Sequence, residues 1–121
     1  MFLGAHVILY SKDAEADRAF LRDVLAFPHV DAGHGWLIFA LPPAEVALHP
    51  DDDNEGRELY LICESLDEAL ARLKIHGVPC TEPQRAPWGT FTHFTLPGGG
   101  KIGLYEARHP LALGTWKEPG S

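Results

Sequence analysis

Phe94-Thr95-Leu96-Pro97-Gly98-Gly99-Gly100-Lys101-Ile102-Gly103-Leu104-Tyr105 reads as a strand, a tight glycine turn and a second strand. The same pattern stands earlier as Phe39-Ala40-Leu41-Pro42-Pro43-Ala44-Glu45-Val46-Ala47-Leu48-His49, one residue shorter in the turn. Upstream of each copy lies an apolar strand followed by a helix. His6 to Tyr10 matches Leu59 to Cys63 at an offset of 59 − 6 = 53. A repeat of about this length marks two similar halves of one unit, neither able to bury its apolar face alone. The expected organisation is a single domain over 1–121, with module one at about 1–50, module two at about 58–106 and a tail at 107–121.

Each half predicts strand, helix and three strands, an α+β class. In the first, Ala5 to Tyr10 is the opening strand, and Asp13 caps a helix with Ala16, Phe20, Leu21, Val24 and Leu25 on its apolar side, ended by Pro28. A short strand near Val30, a Gly33-His34-Gly35 turn, a strand Trp36 to Leu41 and a strand Glu45 to His49 complete it. In the second, Glu58 to Cys63 opens, and Ser65-Leu66-Asp67-Glu68 has the form of a capping box. Gly77 stands where a helix end wants a left-handed residue, and strands are expected near Val78 to Thr81, Thr90 to Leu96 and Lys101 to Glu106.

Composition narrows the function. In 121 residues, 10 Lys+Arg against 17 Asp+Glu give −7, with no basic run, so nucleic acid and anionic membrane are not expected partners. No apolar run approaches the roughly 18 residues of a membrane span, and the Met1-Phe2-Leu3-Gly4 start has no basic region of a secretory signal, so the expected location is the cytoplasm. Two cysteines, Cys63 and Cys80, make no disulfide framework.

Several motifs fall away on inspection. Asp51-Asp52-Asp53-Asn54-Glu55-Gly56 starts like a calcium loop, yet its twelfth position is Ile62, inside an expected strand. Gly98-Gly99-Gly100-Lys101 lacks both the Ser/Thr after the lysine and the following helix of a phosphate loop, and reads as a flexible hairpin turn. Ser11, Ser65 and Ser121 sit in no nucleophile elbow.

Histidines remain. His29, His34, His76 and His109 fall in turns, helix ends or the tail, where a solvated surface is expected, whereas His6, His49 and His93 fall inside expected strands. Side chains alternate along a strand. The purely apolar sets Val46/Leu48, Phe39/Leu41, Phe94/Leu96 and Ile102/Leu104 belong under the helices. The opposite face then gathers His6, Tyr10, Trp36, Ala47, His49, His93, Gly103 and Tyr105, mixed in the way a ligand cup is.

The doubled unit and the Leu96-Pro97-Gly98-Gly99 turn before the last strand resemble the vicinal oxygen chelate superfamily of glyoxalases, bleomycin-resistance proteins and extradiol dioxygenases, over about residues 4–107. The resemblance implies two βαβββ modules forming a curled mixed sheet around a cavity, helices outside, in a homodimer. It implies four metal seats, which carry over to His6, Ala47, Leu59 and Gly103. Only His6 is a ligand, and three or more N/O donors are the rule for such ions. No cofactor is therefore expected, although a divalent ion on a site rebuilt from His6, His49 and His93 stays open. His49 stands two residues, about 6.5 Å, from the seat at Ala47.

Two functions follow. One is a binding protein holding a small, flat, partly apolar molecule between Tyr10, Trp36 and Tyr105, with His6, His49, Leu59 and His93 also in the binding set and Ala47 and Gly103 leaving room beneath the ligand. The other is a lyase, isomerase or dioxygenase using His6, His49 or His93 as acid-base groups or an unorthodox metal site.

Overall fold

The computed structural model describes residues 6–45, 47, 50, 52 and 55–114. Its elements run α1 (Ala14–Asp23), β1 (His29–Asp31), β2 (Leu37–Phe39), β3 (Tyr60–Ile62), α2 (Leu66–Ile75), β4 (Gln84–Ala86), β5 (Gly89–Thr95) and β6 (Lys101–Ala107). The class is α+β with a mixed sheet: β3-β6-β5-β4, in which β3 pairs parallel to β6 and the other pairs are antiparallel. β1 and β2 form a separate antiparallel pair.

Both helices start at the caps that the sequence offers. The Asp13 carboxylate accepts from the Ala16 N–H at 3.1 Å, and Ser65 Oγ from the Glu68 N–H at 3.3 Å. The Glu106 carboxylate accepts a further free amide of α2, Leu66 N–H, at 3.0 Å, tying the helix start to β6. At the other end of α2, Gly77 at φ +72° lets its own N–H reach Lys74 O and the Val78 N–H reach Leu73 O, the two bonds of a Schellman cap. α1 ends before Pro28, with Val24 as its cap and Ala26 taking the left-handed turn at φ 57°. Between β1 and β2 the Asp31 carboxylate accepts from the Gly33 and Gly35 amides, fixing the expected glycine turn.

The core lies on one face of the larger sheet. Phe94, Leu96, Ile102 and Leu104 meet Leu66 and Leu73 of α2, and Phe20 of α1 packs against them with Val24 and Leu25 just past its end. Phe20 stacks on Phe94 with ring centroids 5.7 Å apart. α1 is held at a second point, where the buried Asp17 carboxylate accepts from the Gly98 N–H at 2.7 Å. A side chain on Gly98 would meet Ser11 and Asp17, with Asp17 Oδ2 at 2.9 Å from its Cβ, so the turn is docked on α1 rather than free as its glycines suggest.

Three strand expectations differ. Residues 6–10 lie outside strands and are exposed, Tyr10 at 92%; the larger sheet ends in β3 and β4, and this segment pairs with neither. Of the strand at Glu45 to His49, Glu45 and Ala47 are outside strands, while Val46, Leu48 and His49 lie outside the described residues. Val78 to Thr81 contributes a single bridge, Cys80 to Phe94, and β5 takes β4 as its hairpin partner instead. The acidic positions Asp51, Asp53 and Asn54, together with Met1 to Ala5 and the tail from Thr115, also lie outside the described residues.

Candidate functional site

The face of the larger sheet away from the helices is built in rows by the strand registers. Phe91, Tyr105 and Ile62 lie opposite one another across β5, β6 and β3; His93, Gly103 and Tyr60 form the next row. Thr95 and Lys101 begin a third, which parity extends to Glu58, two residues before Tyr60. The face thus grades from aromatic at one end to charged at the other.

Its aromatic end is closely packed. Trp88 stacks on Phe91 at 4.8 Å and 22°, and meets Tyr105 edge-on at 5.3 Å; Tyr60 meets Tyr105 at 5.6 Å and Trp88 at 6.2 Å, both near perpendicular. Such edge-to-face contacts are favourable ring geometry. Trp88 remains 38% exposed, so the cluster presents a ring to solvent.

In the middle row Tyr60 Oη and His93 Nε2 are 3.0 Å apart. Burial first, and the nearby Glu58 carboxylate second, push the Tyr60 phenol above its ordinary value, so it stays protonated at neutral pH. A phenol both donates and accepts, so the direction of this hydrogen bond follows the imidazole tautomer, and His93 Nδ1 is left for another partner. The backbone behind His93 is pinned from Thr81, whose Oγ1 accepts the His93 N–H at 3.0 Å and whose own N–H donates to His93 O at 2.9 Å. Gly103 is what lets Tyr60 lie flat here, since a Cβ would overlap the ring, with Cγ only 2.8 Å away. The room expected beneath a ligand at Gly103 is consequently filled by this phenol.

A cavity of about 190 Å³ adjoins this row, lined by Tyr60, His93, Gly103, Glu58, Arg57 and Lys101 with Leu59 at its edge. A larger one of about 400 Å³ lies where the tail crosses the end of β3, between Cys63, Glu106, His109 and Leu111. His109 is not a free surface group. Its Nε2 is 3.3 Å from Tyr105 Oη and its Nδ1 is 2.7 Å from Pro110 O, an arrangement that lets the phenol donate and the imidazole pass an N–H to the carbonyl. Burial and then the Glu45 carboxylate push the Tyr105 phenol up. Burial and then Glu106 push the Cys63 thiol up, so it stays a thiol and not the nucleophilic thiolate.

The expected residues divide. His93, Gly103 and Tyr105 come together. His6, Tyr10 and Ala47 are exposed outside strands, and Trp36 is 63% exposed with the Arg18 guanidinium 4.4 Å from its ring centroid. His49 lies outside the described residues. Leu59 packs against the core, and the residue opposite Gly103 is Tyr60. The slip has a plain cause: the two helices begin 66 − 14 = 52 residues apart, not 53, so the counterpart of His6 is Glu58 and that of Leu59 is Val7. Counting between the caps Asp13 and Ser65 would have found it. Phe91 was within reach, since it shares the face of His93 by the parity of the expected strand Thr90 to Leu96 and matches Trp36 at the offset of Phe39 and Phe94; Trp88 lies in the turn before that strand and His109 in the tail, where neither parity nor the repeat applies.

Among the described residues no three His, Cys, Asp or Glu side chains are grouped to hold an ion, the phenol of Tyr60 covers the Gly103 seat, and His93 Nε2 is taken by that phenol. Among the described residues, likewise, no helix is long and apolar enough to cross a membrane.

No protein-family model and no curated protein matches the chain. Solved structures do. TnmS3, an antibiotic binding protein from Streptomyces sp. CB03234, is 28% identical over 88% of this chain and 99% of its own, with a TM-score of 0.59. A member of the glyoxalase/bleomycin resistance protein/dioxygenase superfamily from Sphaerobacter thermophilus is 25% identical over 84% and 93%, with a TM-score of 0.54. The fosfomycin resistance protein FosX from Listeria monocytogenes, complexed with Mn(II), is 17% identical over 93% and 94%, with a TM-score of 0.57.

Proposed function

We propose that this chain, which has the fold of the vicinal oxygen chelate superfamily, binds a small, flat, partly apolar molecule on the aromatic face of its larger sheet and does so without a divalent ion. The observation that carries the reading is the Tyr60–Trp88–Phe91–Tyr105 cluster, a ring platform ending in the Tyr60–His93 hydrogen bond. Aromatic surface takes a planar ligand by stacking, and His93 Nδ1, the ring nitrogen that Tyr60 does not use, can hydrogen-bond its polar edge. The resemblance to TnmS3 over nearly its whole length supports a binding role.

The proposal includes a homodimer in the cytoplasm. Val7, Ile8, Leu9 and Tyr10 together expose an apolar, strand-forming stretch, and such an edge invites a second copy. Light scattering at micromolar concentration should give twice the 13.3 kDa chain mass, and Ile8→Asp should shift the protein to monomer.

Titrating a planar aromatic such as naphthalene-2-carboxamide while following tryptophan fluorescence tests the site. Trp88→Ala should weaken binding about fivefold, the value of one stacked ring, and elemental analysis after dialysis should find no stoichiometric metal. Unchanged binding in Trp88→Ala would place the ligand elsewhere. One observation favours a second reading, an acid-base enzyme: the Tyr60–His93 pair could relay a proton. Turnover that disappears in His93→Gln would establish it.

A further inference from the structure

Resting on that binding reading, we infer that the ligand is an aromatic acid whose anionic group lies at the Lys101 end of the face while its ring lies over Trp88 and Tyr105. The gradient along the rows supplies the direction. Phe91 and Ile62 offer nothing to a charge and the Tyr105 phenol is engaged by His109, whereas the cavity that opens at the next row is lined by His93 and, beyond it, by Lys101. Lys101 lies in register with Thr95 and two residues from Gly103 on the same strand, so it shares the face with the ring cluster. Among the described residues it has no ion-pair partner, and its exposed ammonium can turn toward a carboxylate, sulfonate or phosphate.

The spacing suits one molecule. Lys101 and Tyr105 are four residues apart on β6, about 13 Å at the rise of a strand, which a two-ring aromatic with an acid substituent and a lysine side chain together bridge. A neutral ligand would leave the ammonium to water.

Matched probes test this on the full chain: 2-naphthoate and its neutral amide, naphthalene-2-carboxamide, titrated by calorimetry. The naphthoate should bind about threefold tighter, the value of one exposed charge pair. The preference should shrink toward one in about 0.5 M NaCl through screening, fall to one in Lys101→Met and reverse in Lys101→Glu. Equal affinity for the two probes, or a preference that survives Lys101→Met, overturns the inference while the aromatic site stands. Failure of both probes to bind overturns the binding reading itself, and this inference with it.

Discussion

The two halves of the chain carry the same sequence plan and end differently. In the second, β3, β5 and β6 pair over up to seven residues, and every fully buried large side chain described, Phe94, Ile102 and Thr92, lies there. In the first, α1 docks on that same core and the β1–β2 pair stands apart, with Val30 65% exposed. The lesson is that a repeat fixes which elements can form, while burial is decided by which sheet they find. The second half supplies the sheet, and the first lends it a helix.

Truncation should expose this asymmetry most strongly. Phe94→Ala removes a ring in contact with both helices' cover and should cost about 3–5 kcal/mol in urea denaturation, whereas Val30→Ala in the first half should cost under about 0.5 kcal/mol. A comparable loss at Val30 would mean that β1–β2 is packed in solution. Next in size is the tie between the halves: Asp17→Ala strands the Gly98 amide and should cost about 1–3 kcal/mol, with α1 losing hydrogen-exchange protection before α2 does.

The two helix ends sharpen the comparison by opposite signs. Gly77→Ala puts a side chain at φ +72° and should destabilise by about 1 kcal/mol, while Ala26→Gly relieves φ 57° and should stabilise by up to about 1 kcal/mol. Smallest is the alkaline effect. Tyr60 and Tyr105 titrate above the ordinary value of 10.0 when folded, so their neutral forms stabilise the fold below that value and the contribution is lost as pH climbs through the raised values. Tyr60→Phe should therefore flatten the stability decline above about pH 10, measured as melting temperature against pH.

Much of the fold was legible. Asp13, Ser65 and Gly77 act as their residue types predict, because caps are local chemistry that needs no knowledge of the rest of the chain. Parity on β5 and β6 placed Phe94 and Ile102 inside and His93, Gly103 and Tyr105 together outside for the same reason. What could not be read was non-local. Whether residues 6–10 find a sheet depends on an edge far away in sequence, and Trp88 reaches the site from the turn between β4 and β5, where no strand parity applies. Leu59 was misplaced by one residue, which in a strand is a change of face.

The Asp17–Gly98 hydrogen bond spans 81 residues. α1 leaves a ribosome some 81 residues ahead of the Gly98 turn, yet its buried carboxylate has no amide to accept from until that turn has formed. Closing so long a loop costs entropy before any contact repays it. The earlier helix therefore waits, amphipathic and unpaired, for the later turn.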